Sequence, residues 1–159
     1  MNGPALLIIA LTFVVAFILN LIPLPIWVVP YRPDWVTLVF IYWCLAIPDR
    51  FGTGMGWVMG LLVDVTNASL LGLHALGMAT LGYITSRLHL RIRMFPWWQQ
   101  SLSILVLLII YKSLVGWMRS LLGELHFDWM YWMSSLIGVL IWPWLFVILR
   151  DLRRYARIT

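Results

Sequence analysis

The feature that most limits what this chain can fold into is a succession of apolar runs that fills it almost end to end. Each run is closed by proline, glycine or charge. The first, ALLIIALTFVVAFILNLI, is typical of the rest. Of the 159 residues, 63% are hydrophobic and only 11% are charged, against roughly 45–50% and about 25% in soluble domains. So few charges cannot cover the surface of a water-soluble protein of this size. The class this implies is an all-α integral membrane protein, a single transmembrane domain over 1–159.

The run boundaries predict six helices, at about 5–22, 33–47, 51–65, 70–88, 99–122 and 129–149, followed by a basic tail over 150–159. The second and third are short. Fifteen residues make about 22 Å of helix, less than a hydrocarbon core of about 30 Å. These two either extend into PDRFGTG or lie inside the bundle, where irregular backbone is tolerated. The N-terminus, MNGPALLIIA, lacks the basic start of a secretory signal, so the first run reads as a retained helix.

Charge sets the orientation. RLHLRIR carries Arg87, Arg91 and Arg93, and the tail carries Arg150, Arg153, Arg154 and Arg157. Two helices separate these groups, so they share a side, which the positive-inside rule makes cytoplasmic. Counting back puts Arg50 and the N-terminus inside as well. The result is a compact six-helix bundle, N-in and C-in, with five spans as the alternative count. The outside loops are VVPYRPDW, VTNAS and LGELHFDW, the last with Glu124 and Asp128. Only Arg32 falls plainly on the wrong side. The net charge of +5 therefore reflects orientation rather than nucleic-acid binding, and no basic–aromatic interleaving of the kind nucleic acid needs is present. Trp27, Trp35, Trp97, Trp98 and Trp129 fall near helix ends, as interfacial anchors do. Trp43, Trp57 and Trp142 fall within spans.

The third helix carries Gly52, Gly56, Gly60 and Asp64 at spacings of four, one face that is smooth until it ends in a carboxylate. The fourth carries Gly72, Ala75, Ala79 and Gly82. Small residues at such spacings let helices approach closely in lipid, so the two strips predict a tightly packed hairpin, and they also permit a homodimer. An ionisable group at membrane depth needs a partner or water. Lys112 and Arg119 in the fifth helix are the available cations, and Arg119 matches Asp64 in depth. The expectation is an Asp64–Arg119 pair, with Lys112 facing a polar interior or a partner subunit. The functional alternative for Asp64 is a proton or cation site, but no second acid in the membrane core could pass the proton on. His74 lies ten residues from Asp64 across a turn and reads as a polar-buried or lumen-facing histidine. No nucleophile motif, no zinc-protease motif and no phosphate-binding loop occurs, and the single Cys44 excludes a disulfide framework and a Cys-rich metal site. No catalytic residue, cofactor or metal is expected.

Several stretches taken in order resemble a known family: YRPDWVTLVFIYWCLAIPDRFGTGMGWVMG, GLLVDVTNASLLGLHALGMATLGY, WWQQ and LIWPWLFVILRDLRR. Together they resemble the MreD family of rod shape-determining proteins of Gram-negative bacteria, from about residue 30 to the C-terminus. The family's glycine–aspartate pattern falls on Gly60 and Asp64, followed by Gly72. The resemblance implies a non-enzymatic inner-membrane scaffold of the cell-elongation complex. It implies MreC as direct partner and, through the complex, MreB, RodA and penicillin-binding protein 2, with a role in peptidoglycan synthesis and cell shape. It also implies a distant likeness to the six-helix substrate-binding subunits of energy-coupling-factor vitamin transporters, and hence an internal cavity for lipid or a small molecule. A vitamin-binding transport subunit is the alternative function.

Overall fold

The computed structural model describes residues 3–123 and 129–155; Glu124, Asp128 and Arg157 lie outside these. The described residues form six α-helices and no strand: α1 (Gly3–Leu21), α2 (Trp35–Ala46), α3 (Thr53–Thr66), α4 (Leu73–Met94), α5 (Trp97–Leu121) and α6 (Met130–Tyr155), with a 3-10 turn at Val29–Tyr31. Of these, α5 and α6 are long and apolar enough to cross a membrane. In α4 the length is present, but its last turns carry Arg87, Arg91 and Arg93.

Two helix ends differ from the sequence expectation. RLHLRIR is not a loop: α4 runs through it and stops only where Phe95 turns extended, at φ −73° and ψ 145°. The residue before a proline is pushed out of the helical region, and Pro96 follows. Nothing earlier breaks the helix, and Arg91 and Arg93 in its last turn meet the negative end of the helix dipole. The basic tail is likewise helical as far as Tyr155, because α6 continues through Pro143 and LRDLRRY without a terminator.

The shortest helix is the centre of the bundle. Every α2 residue from Val36 to Leu45 is buried, with α1, α4 and α6 packed around it. Twelve residues make about 18 Å of helix, and enclosure by other helices keeps its ends away from lipid. Trp43 is fully buried and satisfies its indole by donating to Thr12 Oγ1 at 3.0 Å. Phe13 and Phe51 stack beside it, with ring centroids 6.0 Å apart. By contrast Trp27, Trp97, Trp98 and Trp129 stand on the surface.

Close contacts fix the directions. Gly56 lies against the backbone of Met78 and Ala79, Gly60 against that of His74 and Ala75, and Gly82 against the carbonyl of Gly52. This makes α3 and α4 antiparallel. Arg32 with Leu19 and Trp43 with Thr12 do the same for α2 and α1, and Lys112 with Ser134 and Leu108 with Gly138 for α5 and α6. Two glycines of the expected strips have other roles. Gly52 precedes α3 with extended backbone, so it meets Gly82 as a cap residue. Gly72 precedes α4 at φ 104°, a left-handed conformation that a side chain would strain, and its Cβ position faces open space rather than α3.

One end of the bundle therefore gathers the arginines of α4 and α6. Arg93, Arg150 and Arg153 all lie within electrostatic range of the Tyr42 hydroxyl, and Arg150 meets Asp151 at 3.4 Å. Arg32, at the opposite end, has a local reason to be there. Its Nη2 donates to the carbonyl of Leu19 at 2.8 Å, one of the acceptors that the C-terminus of α1 leaves open. Arg32→Ala is expected to lower stability by about 1.5–3 kcal/mol, the range for losing a charge-assisted hydrogen bond. Thermal unfolding in detergent reads this as a lower midpoint, and an unchanged midpoint would show the cap to be idle.

Candidate functional site

At the other end of the bundle, the stretch DVTNASLLGLHA folds into a closed turn around one carboxylate. Asp64 lies in the last turn of α3 and is 0% exposed. Its Oδ1 accepts from Ser69 Oγ at 2.9 Å, from the His74 backbone N–H at 2.9 Å and from His74 Nδ1 at 2.7 Å. Its Oδ2 accepts from the backbone N–H of Gly72 at 2.9 Å and of Ala75 at 3.3 Å. The first N–H groups of a helix have no intrahelical acceptor, and side-chain oxygens at the N-cap normally supply one. The residue at that position in α4 is Gly72, which has no side chain. Asp64 does the work from the end of the preceding helix, at the positive pole of the α4 dipole. The turn is drawn in further by the Ser69 N–H, which donates to the Asp64 carbonyl at 3.0 Å.

The expected Asp64–Arg119 pair is not made; the place of a cationic partner at Asp64 is filled by His74 and by backbone donors. Depth in the bilayer is a one-dimensional criterion. Unpaired amides a few residues along the chain compete better than a side chain on another helix at the same depth. Arg119 is half-buried in the last turn of α5.

Lys112 is buried and turns inward. Its ammonium donates to the Tyr131 carbonyl at 2.8 Å and to Ser134 Oγ. It also lies 3.5 Å from Asp34 Oδ2 and 4.4 Å from the centre of the Tyr131 ring. One side chain thus ties α5 to the start of α6 and to Asp34, the residue that opens α2. Tyr131 answers by donating its hydroxyl to the Lys112 carbonyl at 3.4 Å.

Between these two polar clusters lies a cavity of about 250 Å³. Asn20, Asp34, Thr37, Asn67, His74, Tyr111, Lys112, Arg119 and Tyr131 line it, with Val36, Val63 and Val115. All six helices or their connecting turns contribute to its wall. Among the described residues no three His, Cys, Asp or Glu side chains are grouped to hold a metal ion.

The structure brings Asp64 and His74 together and sets Lys112 and Arg119 on one cavity wall, with Arg119 apart from Asp64. Asp34, Tyr131 and Ser134 do not stand out in the sequence. Asp34 had a usable signal, because an aspartate directly before an apolar helix marks an N-cap position and so the same end of the bundle as Arg119. Ser134 had none, since its role depends on the rotation of α6 against α5.

The model of the MreD family, described as rod shape-determining protein MreD, matches residues 4–152. Among curated proteins, the rod shape-determining protein MreD of Haemophilus influenzae is 34% identical over 146 residues, which cover 92% of this chain and 90% of that protein. No solved structure matches the chain. The family match extends from α1 into the last turns of α6 and includes both polar clusters, and on it the chain belongs to the MreD family of rod shape-determining proteins.

Proposed function

We propose that this protein is a six-span, non-enzymatic scaffold of the bacterial inner membrane, N-in and C-in, which binds MreC and supports peptidoglycan synthesis during cell elongation. The observation that carries the proposal is the family match over residues 4–152. Three structural features support it. The described helices alternate in direction. The arginines of α4 and α6 collect at one end, as cytoplasmic ends do. The outer faces are apolar, with Leu7, Trp57, Leu90, Leu140 and Trp144 all exposed, as contact with lipid or a spanning partner requires. MreB, RodA and penicillin-binding protein 2 join through the complex.

Depletion in the native cell, followed by microscopy, tests the proposal. Rods are expected to widen and round up, and MreC is expected to co-purify with the full chain in mild detergent. Cells that remain rod-shaped after depletion would overturn the scaffold role. A vitamin-binding transport subunit would instead keep a small molecule through purification and bring down an ATPase-linked membrane subunit, so the same purification separates the two readings.

A further inference from the structure

The cavity carries a charge imbalance that the described residues do not resolve. Its charged wall residues are Asp34, Lys112 and Arg119, beside His74. Lys112 is engaged internally: a carbonyl and a hydroxyl accept two of its donors, and the Asp34 carboxylate pairs with it at 3.5 Å. Asp34 is neutralised by the same contact. Asp64 is not in the wall, and its two oxygens already receive Ser69, Gly72, His74 and Ala75. His74 has committed Nδ1 to Asp64, which leaves Nε2 as the polar atom of its ring. Arg119 is then the one charged wall residue with no ion-pair or hydrogen-bond partner among the described residues. A half-buried guanidinium has five donors to satisfy, and leaving them without acceptors away from bulk water is unfavourable.

We propose that this cavity is a binding site for a phosphate-sized oxyanion group, with Arg119 as its principal ligand and Asn67 as a neutral donor beside it. The planar fork of a guanidinium matches two oxygens of such a group. The volume of about 250 Å³ is below the roughly 300–1,000 Å³ of sites that enclose a whole drug-sized ligand. The cavity takes one headgroup-sized anion and leaves any remainder of the molecule outside. The anion comes either from an anionic phospholipid headgroup or from a free phosphate ester; both present the same chemistry to Arg119. The site does not depend on the scaffold role.

The test uses the full chain in detergent and in nanodiscs. Thermal unfolding is followed by tryptophan fluorescence with inorganic phosphate and glycerol phosphate as soluble probes. Native mass spectrometry compares retention of phosphatidylglycerol with that of zwitterionic phosphatidylcholine. A saturating probe is expected to raise the unfolding midpoint by roughly 5 °C. Arg119→Gln is expected to weaken binding at least tenfold and Arg119→Lys by less, whereas Arg150→Gln at the far end leaves it unchanged. Stabilisation by soluble phosphate that Arg119→Gln abolishes assigns a free phosphate ester. Preferential retention of phosphatidylglycerol that Arg119→Gln abolishes, without an effect of soluble phosphate, assigns a lipid headgroup. If Arg119→Gln does not fold, Arg119→Lys alone decides by weakening binding or failing to. The proposal is overturned if neither probe binds, or if the Arg119 variants bind as the parent does.

Discussion

Asp64→Ala is expected to be the most damaging polar substitution in the chain, lowering stability by about 3–5 kcal/mol. The carboxylate is fully buried. Its removal strands the N–H groups of Gly72, His74 and Ala75 and His74 Nδ1. Each buried donor left without an acceptor costs about 1–3 kcal/mol, less where water can enter. At about 2–4 °C per kcal/mol for a chain of this size, the unfolding midpoint falls by roughly 10 °C. Asp64→Asn separates a latch from a proton site. Both carboxylate oxygens accept, so an asparagine amide turned either way sets its NH₂ against donors. Nearly the full loss is expected from Asn if Asp64 is a latch, and a well-folded protein if its role is to carry a proton. A double-mutant cycle then apportions the site. Asp64→Ala with His74→Ala should fall short of additivity, because the two share a 2.7 Å contact. Asp64→Ala with Arg119→Ala should add within about 0.5 kcal/mol. Strong coupling to Arg119 would mean that the carboxylate is not held as the structure has it.

How far the sequence carried depends on the kind of information each residue needs. Apolar runs and their breakers are local, so the six helices could be read directly, and the glycines at 56 and 60 stood out by spacing. Helix ends were harder where charge stood in for a breaker. RLHLRIR looks like a loop by polarity, but only Pro96 stops the backbone, and α4 continues to Met94. The partner of Asp64 is hidden from the sequence for a related reason. Depth and opposite charge pointed to Arg119, whereas the closing of the α3–α4 turn places backbone amides and His74 around the carboxylate. Sequence spacing of eight to eleven residues holds no sign of that until the turn geometry is known. Lys112 was legible as a cation needing company. The identity of that company, Asp34 and the first turn of α6, depends on how three helices rotate about their axes.

The second large effect is expected from a single methyl group. A Cβ added at Gly60 would lie 2.6 Å from the Ala75 nitrogen and 2.7 Å from the His74 carbonyl oxygen, with the Ala75 Cα nearer still. These are backbone atoms of α4 and cannot rotate away, so Gly60→Ala must drive α3 and α4 apart. Overpacking in a close-packed interior commonly costs about 1–3 kcal/mol. Here the upper end or beyond is expected, because the atoms being displaced belong to the turn that Asp64 holds. His74 and Ala75 are at once the surface that Gly60 touches and the donors that Asp64 receives. Separating the helices stretches those hydrogen bonds, so a packing defect becomes a capping defect. Gly56→Ala meets the Met78 carbonyl group and Ala79, one turn further from the carboxylate, and should cost less than Gly60→Ala. Gly116 in α5 supplies the control: nothing lies within 4 Å of its Cβ position, so Gly116→Ala should gain about 0.5–1 kcal/mol from helix propensity. Opposite signs for the same substitution at Gly60 and Gly116 in thermal unfolding are the expected result. The coupling has its own readout. Once Asp64→Ala has removed the cap, the added loss from Gly60→Ala should shrink, whereas two independent defects would add in full. Full additivity would mean that the glycine contact and the carboxylate are separate devices, and that the interface rather than the turn sets the α3–α4 spacing.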